Sequence, residues 1–411
     1  MTYRHRVATV FLFGFFLDLI NMFIASIAFP AISRALAVSV SQLAWVSNAY
    51  ILGLTVVVPF SAWLSERWGA KRRSIHGVTK RSIPPAAPAF STAYRPLAAG
   101  LANSLSELIL WRTLQGMGGG LLIPLGQALT WPLFQPHERA KLSAAVMLVG
   151  LLAPACSPAI GGLLVEAFSW RWVFFASLPV ALLTFVLAVR WLNDTPGPVR
   201  PTRFLPLSLL ADPLLRFAML IYLCVPGMFI GVNVVGMYYL QRVTGMAPGA
   251  IGALMVPWSL ASFAAITFTG RYFNRFGPRP LVVIGCLLQA MGIMLLLKID
   301  ADSPLALLIL AFTLMGGGGS LCSSTAQSSA FLHTPAEEMP DASALWNLNR
   351  QLSFFAGSAL LALLLRVFPP AYAWQGVFIS AAVITLLPLL FCLRLNNRAI
   401  IHRLHTTLEK S

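Results

Sequence analysis

Thirteen acidic residues occur in this 411-residue chain, and Asp18 alone falls inside a long apolar run. A carboxyl group held in hydrocarbon can be neutral in one state and charged in another, because loss of water favours its protonated form. That is what proton coupling requires. Asn21 follows three residues later and shares the same helix face. A carboxyl merely hydrogen-bonded between helices is the structural alternative, but acids are costly at that depth, which favours function. Arg112 is the second embedded charge. The equivalent residue in the other half of the chain is Phe312, so the arginine is no by-product of duplication. It reads as a group that responds to the protonation of Asp18 or orients Gln115 and a substrate. The alternative is snorkelling to the outer interface, five residues after Glu107. Arg350, in NLNRQL (347–352), lies nearer the end of its run and reads as structural.

Other chemistries have no visible carriers. The six histidines (His5, His76, His137, His333, His402, His405) fall in loops or tails. The five cysteines (Cys156, Cys224, Cys286, Cys322, Cys392) sit in apolar segments without metal spacing and read as small core residues. There is no pair of embedded acids and no phosphate-binding loop. The expectation is therefore a protein that is not an enzyme, with no metal and no cofactor, drawing energy from a proton gradient.

The elements that must position Asp18 and Arg112 are written in the hydropathy. Hydrophobic residues make up 58% of the chain and charged residues 10%, with mean hydropathy +0.77. Soluble domains carry roughly 25% charged residues. The segments 43–64, 142–165, 217–240, 250–269, 281–297 and 377–393 contain no Asp, Glu, Lys or Arg. Each is close to the ~20 residues that a helix needs to cross a bilayer. The short alternating segments of a closed barrel are missing. Spans are expected near 7–31, 43–64, 105–134, 142–165, 173–192, 215–240, 250–270, 280–297, 305–331, 342–365 and 374–393. The first follows Arg4 and Arg6 but is too long for a signal sequence, and it reads as a retained helix.

The net charge of +16 is a topology signal. Basic residues cluster in alternate loops, among them Arg67, Lys71, Arg72 and Arg73, then Arg200, Arg203 and Arg216, then Arg271, Arg275 and Arg279. The intervening loops are nearly bare, which places both termini in the cytoplasm. The chain also repeats itself. SAWLSERWGAKR (61–72) matches TGRYFNRFGPRP (269–280) at an offset of 208, and TLQGMGGGLLIPLGQ (113–127) matches TLMGGGGSLCSSTAQ (313–327) at an offset of 200. The predicted architecture is an all-α polytopic membrane protein of two six-helix bundles, 1–192 and 215–393, related by a pseudo-two-fold axis. A central cytoplasmic loop (193–214) joins them and a cytoplasmic tail (394–411) follows.

Four stretches resemble the major facilitator superfamily, specifically the drug:proton antiporters of its larger, usually fourteen-span group. WVSNAYILGLTVVVPFSAWL (45–64) is similar to that group's second helix. SAWLSERWGAKR resembles the loop signature that follows it, with Glu66 at the acidic position. LILWRTLQGMGGG (108–120) resembles the fourth-helix signature, and LLAPACSPAIGGLLVEAFSWRWVFF (151–175) the antiporter motif and the start of the sixth helix. This chain departs in its short central loop, which gives a twelve-span layout, and in Ser157, where the family usually has glycine. It also has Asn21 at the family's acidic position, with Asp18 one turn earlier, counted back from the helix-ending Pro30.

The resemblance implies alternating access, with a substrate cavity touching Asn21, Gln115, Asn233 and Gln327. Gly116, Gly118, Gly119 and Gly120, and the run 316–319, remove side chains so that helices pack closely. Pro154, Pro158, Gly161 and Gly162 are candidates for a pivot in the fifth helix. Glu66, Arg67, Gly69 and Lys71, with Arg275 and Gly277 in the second half, are candidates for a latch on the gate.

One segment breaks the pattern. SIHGVTKRSIPPAAPAFSTAYRPLAAGLAN (74–103) has the length of a third helix but carries Lys80, Arg81 and Arg95 with Pro84, Pro85, Pro88 and Pro96. Each charge costs about 2.5–3.5 kcal/mol near a helix centre. A compensated reading-frame shift over roughly residues 73–99 accounts for normal sequence on both sides; translation of the other two frames tests it, and without an apolar helix in either the idea fails. The expected function is proton-coupled efflux of small amphipathic compounds. A proton symporter importing a metabolite, or a remnant inactivated by its third helix, shares most of these features. The expected partners are a small-molecule substrate and the lipid bilayer, with no nucleic acid. The expected form is a monomer in a bacterial inner membrane.

Overall fold

In the computed structural model, the described residues are 2–38, 40–61, 98–192, 207–243, 245–246, 253–300, 303–392 and 396–409. Among them every regular element is a helix, as a lipid-embedded backbone that must satisfy its own hydrogen bonds requires. Residues 62–97, which include Glu66, Arg67, Gly69, Lys71 and nearly all of the irregular third segment, lie outside the described residues, as does the central loop 193–206.

The first span is α1 (Tyr3–Ile24), a 3-10 turn (Ala25–Ala28) and α2 (Phe29–Leu36). Pro30 was expected to end the helix. Instead it sits in the first turn of α2, where a missing N–H has no partner to lose. α3 (Val40–Val57) follows, then α4 (Leu105–Thr130). Ser104 caps α4 by accepting from Glu107 N at 3.2 Å, and Glu107 reaches back to Asn103 N at 3.0 Å, so the acid's place is the exposed helix start. Next are α5 (Arg139–Ala167), α6 (Trp172–Phe175) and α7 (Ser177–Trp191).

The second half contains α8 (Pro213–Cys224), α9 (Pro226–Val243), α10 (Met255–Phe276), α11 (Pro278–Leu295), α12 (Leu305–Ser329) and α13 (Met339–Val367). It closes with α14 (Ala373–Leu386), α15 (Pro388–Cys392) and α16 (Asn397–Glu409). Proline at 226 and 388 divides two spans into pairs of helices because it cannot donate to the turn before it. Among the described residues seven helical segments are long and apolar enough to cross a bilayer, from Tyr3–Met22 to Ala373–Cys392. Helices α4, α5 and α10, of 26, 29 and 22 residues, also have spanning length.

The chain divides into two compact units. The first comprises Met1–Phe134, Val149–Pro206 and Thr334–Leu348, with Ile24, Ile32, Leu43, Leu108 and Phe174 in its core. The second comprises Gln135–Leu148, Leu207–His333 and Asn349–Ser411, packed around Tyr239, Ile293, Phe312 and Phe378. Each unit therefore contains a short segment from the opposite half of the sequence. In the first, Asn347 of α13 donates to Gln127 Oε1 of α4 at 2.6 Å, both side chains buried. In the second, Arg139 donates to Phe331 O at 2.5 Å and Asn274 to His137 O at 2.6 Å.

The duplication read from sequence recurs as the same contact made twice. A side chain on Gly116 would strike the Tyr50 carbonyl, and one on Gly316 would strike that of Trp258. Tyr50 and Trp258 are separated by the offset of 208, and Gly116 and Gly316 by 200. In each unit a glycine thus lets neighbouring helices touch backbone to backbone.

Asp212 caps α8 by accepting from Leu214 N at 3.0 Å, and His333 Nδ1 lies 3.1 Å from its Oδ1. Burial pushes the Asp212 pKa up, but these contacts outweigh it and the carboxyl ends below its ordinary value. A depressed folded pKa contributes stability above the unfolded value of ~3.9 that is lost as pH falls through the folded one. Asp212→Ala is therefore expected to cost about 1 kcal/mol at neutral pH. The gap to wild type narrows below pH ~4, read as thermal unfolding of detergent-purified protein across pH.

Candidate functional site

Asp18, Asn21, Tyr50, Arg112 and Gln115 come together in the first unit, on α1, α3 and α4. All are buried, and Arg112 is fully enclosed at 0% exposure. Arg112 therefore does not snorkel. Its three kinds of nitrogen each find an acceptor: Nη2 donates to Asn21 O at 2.9 Å, Nη1 to Gln115 Oε1 at 3.0 Å and Nε to Val46 O at 3.3 Å. These acceptors are neutral, so they solvate the charge without cancelling it. The spacing of Arg112 and Gln115 by three residues is what lets one α4 side chain hold the other.

Tyr50 joins the two charges. Its hydroxyl donates to Asp18 Oδ1 and lies 3.2 Å from Asp18 O, while the Arg112 guanidinium carbon lies 4.4 Å from its ring centroid. Phe174 presents a second ring to the guanidinium at 5.9 Å. A cation over an aromatic face is attracted by the ring quadrupole, the more so without water. Gly119 completes the pocket: a β-carbon there would collide with the Asp18 carboxylate. A tyrosine in an apolar helix reads as packing, and Tyr50 escaped notice for that reason. Its alignment with Trp258 at the repeat offset was the available signal.

The other predicted positions are distributed. Asn21 and Gln115 belong to the first unit, Asn233 and Gln327 to the second. Asn233 donates weakly to Met255 Sδ at 3.7 Å and lines a small recess with Phe229, Phe312 and Met315. Gln327 is buried in α12 and is not part of that recess. Pro154, Pro158, Gly161 and Gly162 all fall within α5, where Ser157 Oγ bonds back to Ala153 O at 2.6 Å. Gly277 forms the turn between α10 and α11 at φ +71°. Arg275 is exposed just before it, 5.7 Å from the Phe276 ring.

A membrane-spanning chain whose regular elements among the described residues are all helices, built from two related units with an acid and an arginine buried together in one of them, belongs to the class of solute transporters. The family profile described as Major Facilitator Superfamily matches residues 11–241 and 218–406. This chain belongs to that superfamily. It is 23% identical over 440 residues to the drug efflux pump JefA of Mycobacterium tuberculosis, covering 92% of this chain and 82% of that one. It is 27% identical over 416 residues to the tetracenomycin C resistance and export protein of Streptomyces glaucescens, covering 85% and 74%. Among solved structures, the human organic anion transporter MFSD10 superposes with a TM-score of 0.73 at 16% identity, covering 95% of this chain and all of that one.

Proposed function

We propose that this protein is a secondary active transporter that expels small amphipathic compounds in exchange for protons, by alternating access. The buried Asp18–Tyr50–Arg112 cluster carries this reading. With Asp18 ionised, the acid and the arginine cancel; with a proton on Asp18, an uncompensated guanidinium remains in a site sealed from water. Protonation thus switches the net charge of this buried cluster, and in a low dielectric that switch is felt strongly. Tyr50 supports it by donating to the ionised carboxylate while presenting its ring to the cation. A cationic compound and a proton would then exclude each other, which is the requirement for exchange.

The named drug-export activities of the two bacterial relatives support outward transport. Within the first unit the substrate would meet Asn21 and Gln115, and within the second Asn233 and Gln327. The energy source would be the proton gradient, with no bound cofactor. The protein would act as a monomer with both termini in the cytoplasm, the side on which the basic loops lie. Expression in a bacterial strain lacking its main efflux pumps tests the reading. The expected result is reduced accumulation of a lipophilic cationic dye, restored by an uncoupler; unchanged accumulation across a panel of dyes would refute it.

A further inference from the structure

We propose that the end of α10, the turn at Gly277 and the tail helix α16 form one binding surface for anionic phospholipid headgroups. Its construction starts at Asn397. The carboxamide of this residue closes the break between α10 and α11, with Nδ2 donating to Phe276 O at 2.8 Å and Oδ1 accepting from Arg279 N at 3.1 Å. It satisfies the last carbonyl of one helix and one first-turn N–H of the next. A β-carbon at Gly277 would collide with it, and the left-handed φ at that position also favours glycine. Asn396 caps α16 by accepting from Ala399 N at 3.2 Å. The tail is thereby fixed to the loop that repeats the 61–72 signature.

Helix α16 then turns Ile400 and Leu404 inward, buried, while Arg398 and His402 are exposed. Along the end of α10, Phe268, Tyr272 and Phe276 form a ladder of ring contacts, with centroids 4.8 Å apart for the first pair and 6.1 Å for the second. Phe268 and Phe276 are 41% and 39% exposed. Exposed Phe268 and Phe276 offer apolar surface to acyl chains, and the half-buried Tyr272 between them has the amphipathic ring enriched where hydrocarbon gives way to headgroups. Arg271 and Arg275, also exposed, stand beside that ladder.

The charge is one-sided. Residues 253–299 contain no acid, and residues 371–411 contain only the acid Glu409 against Arg394, Arg398, Arg403 and Lys410. Glu138 approaches on the segment whose His137 carbonyl receives Asn274, and it already accepts from Gln135 N at 3.0 Å. Clustered arginines on a membrane-proximal helix, at headgroup depth, select anionic over zwitterionic lipid. Aromatic rings facing the acyl region favour a lipid over a soluble anionic partner.

The test is independent of any transported compound. Detergent-purified protein is incubated with phosphatidylglycerol or phosphatidylcholine, and retained lipid is counted by native mass spectrometry. Wild type is expected to retain phosphatidylglycerol selectively. Each near-surface arginine is worth roughly a factor of five, so Arg271→Gln, Arg275→Gln and Arg398→Gln combined should weaken retention on the order of 100-fold. The corresponding triple lysine variant preserves charge and should keep the selectivity. Equal retention of both lipids by wild type, wild-type retention by the glutamine variant, or lost selectivity in the lysine variant would each overturn the proposal.

Discussion

Asp18→Asn is expected to abolish uphill extrusion while leaving the fold in place. Asparagine has the size of the carboxylate and can still accept from the Tyr50 hydroxyl, so the packing against Gly119 is preserved. What it loses is the proton. Exchanging one proton for one monovalent cationic dye moves no net charge, so the pH difference drives it, at ~1.4 kcal/mol or roughly tenfold in concentration ratio per pH unit. Without a titrating group that ratio falls towards one. The measurement is dye accumulation with and without an uncoupler, at matched expression. Variant cells should match uncoupled wild-type cells and respond no further to the uncoupler. Full, uncoupler-sensitive extrusion by the variant would remove Asp18 from the coupling mechanism.

Arg112→Lys is the second large effect, and it separates geometry from charge. The guanidinium reaches Asn21 O on α1, Val46 O on α3 and Gln115 on its own helix, using a different nitrogen for each. An ammonium keeps the charge but concentrates its donors on one atom, and cannot meet acceptors spread over three helices. A hydrogen bond to a charged donor is worth about 1.5–3 kcal/mol, so losing one or two of these is expected to cost ~2–4 kcal/mol. Thermal unfolding in detergent should register that loss, and extrusion should fail with it. Wild-type stability and activity in the lysine variant would show that charge alone suffices.

Length and hydropathy made the spans legible because lipid imposes one demand on every crossing segment. The pairing of an embedded acid with an embedded arginine was legible for the same reason, since each stands out against hydrocarbon. Tyr50 was not, because an aromatic residue there looks like packing until its hydroxyl is placed. The 3-10 break between Ile24 and Phe29 also escaped, although Pro30 was visible, because proline's effect depends on where in a helix it falls. Helix α16 was read as a basic tail. Ile400 and Leu404 at helical spacing after Asn396 and Asn397 carried the signal, overshadowed by the surrounding arginines. Asp212 followed by Pro213 was a readable helix start that counted only as a loop acid.

The exchanged segments set a condition on how this chain can be divided. Severing it at the central loop would yield two fragments, one lacking 334–348 and the other lacking 135–148. Each would leave buried polar groups, such as Gln127 in the first and the Phe331 carbonyl in the second, without the donors that complete them. Neither half is a self-sufficient module, and co-expressed fragments must lend each other these pieces before either is whole.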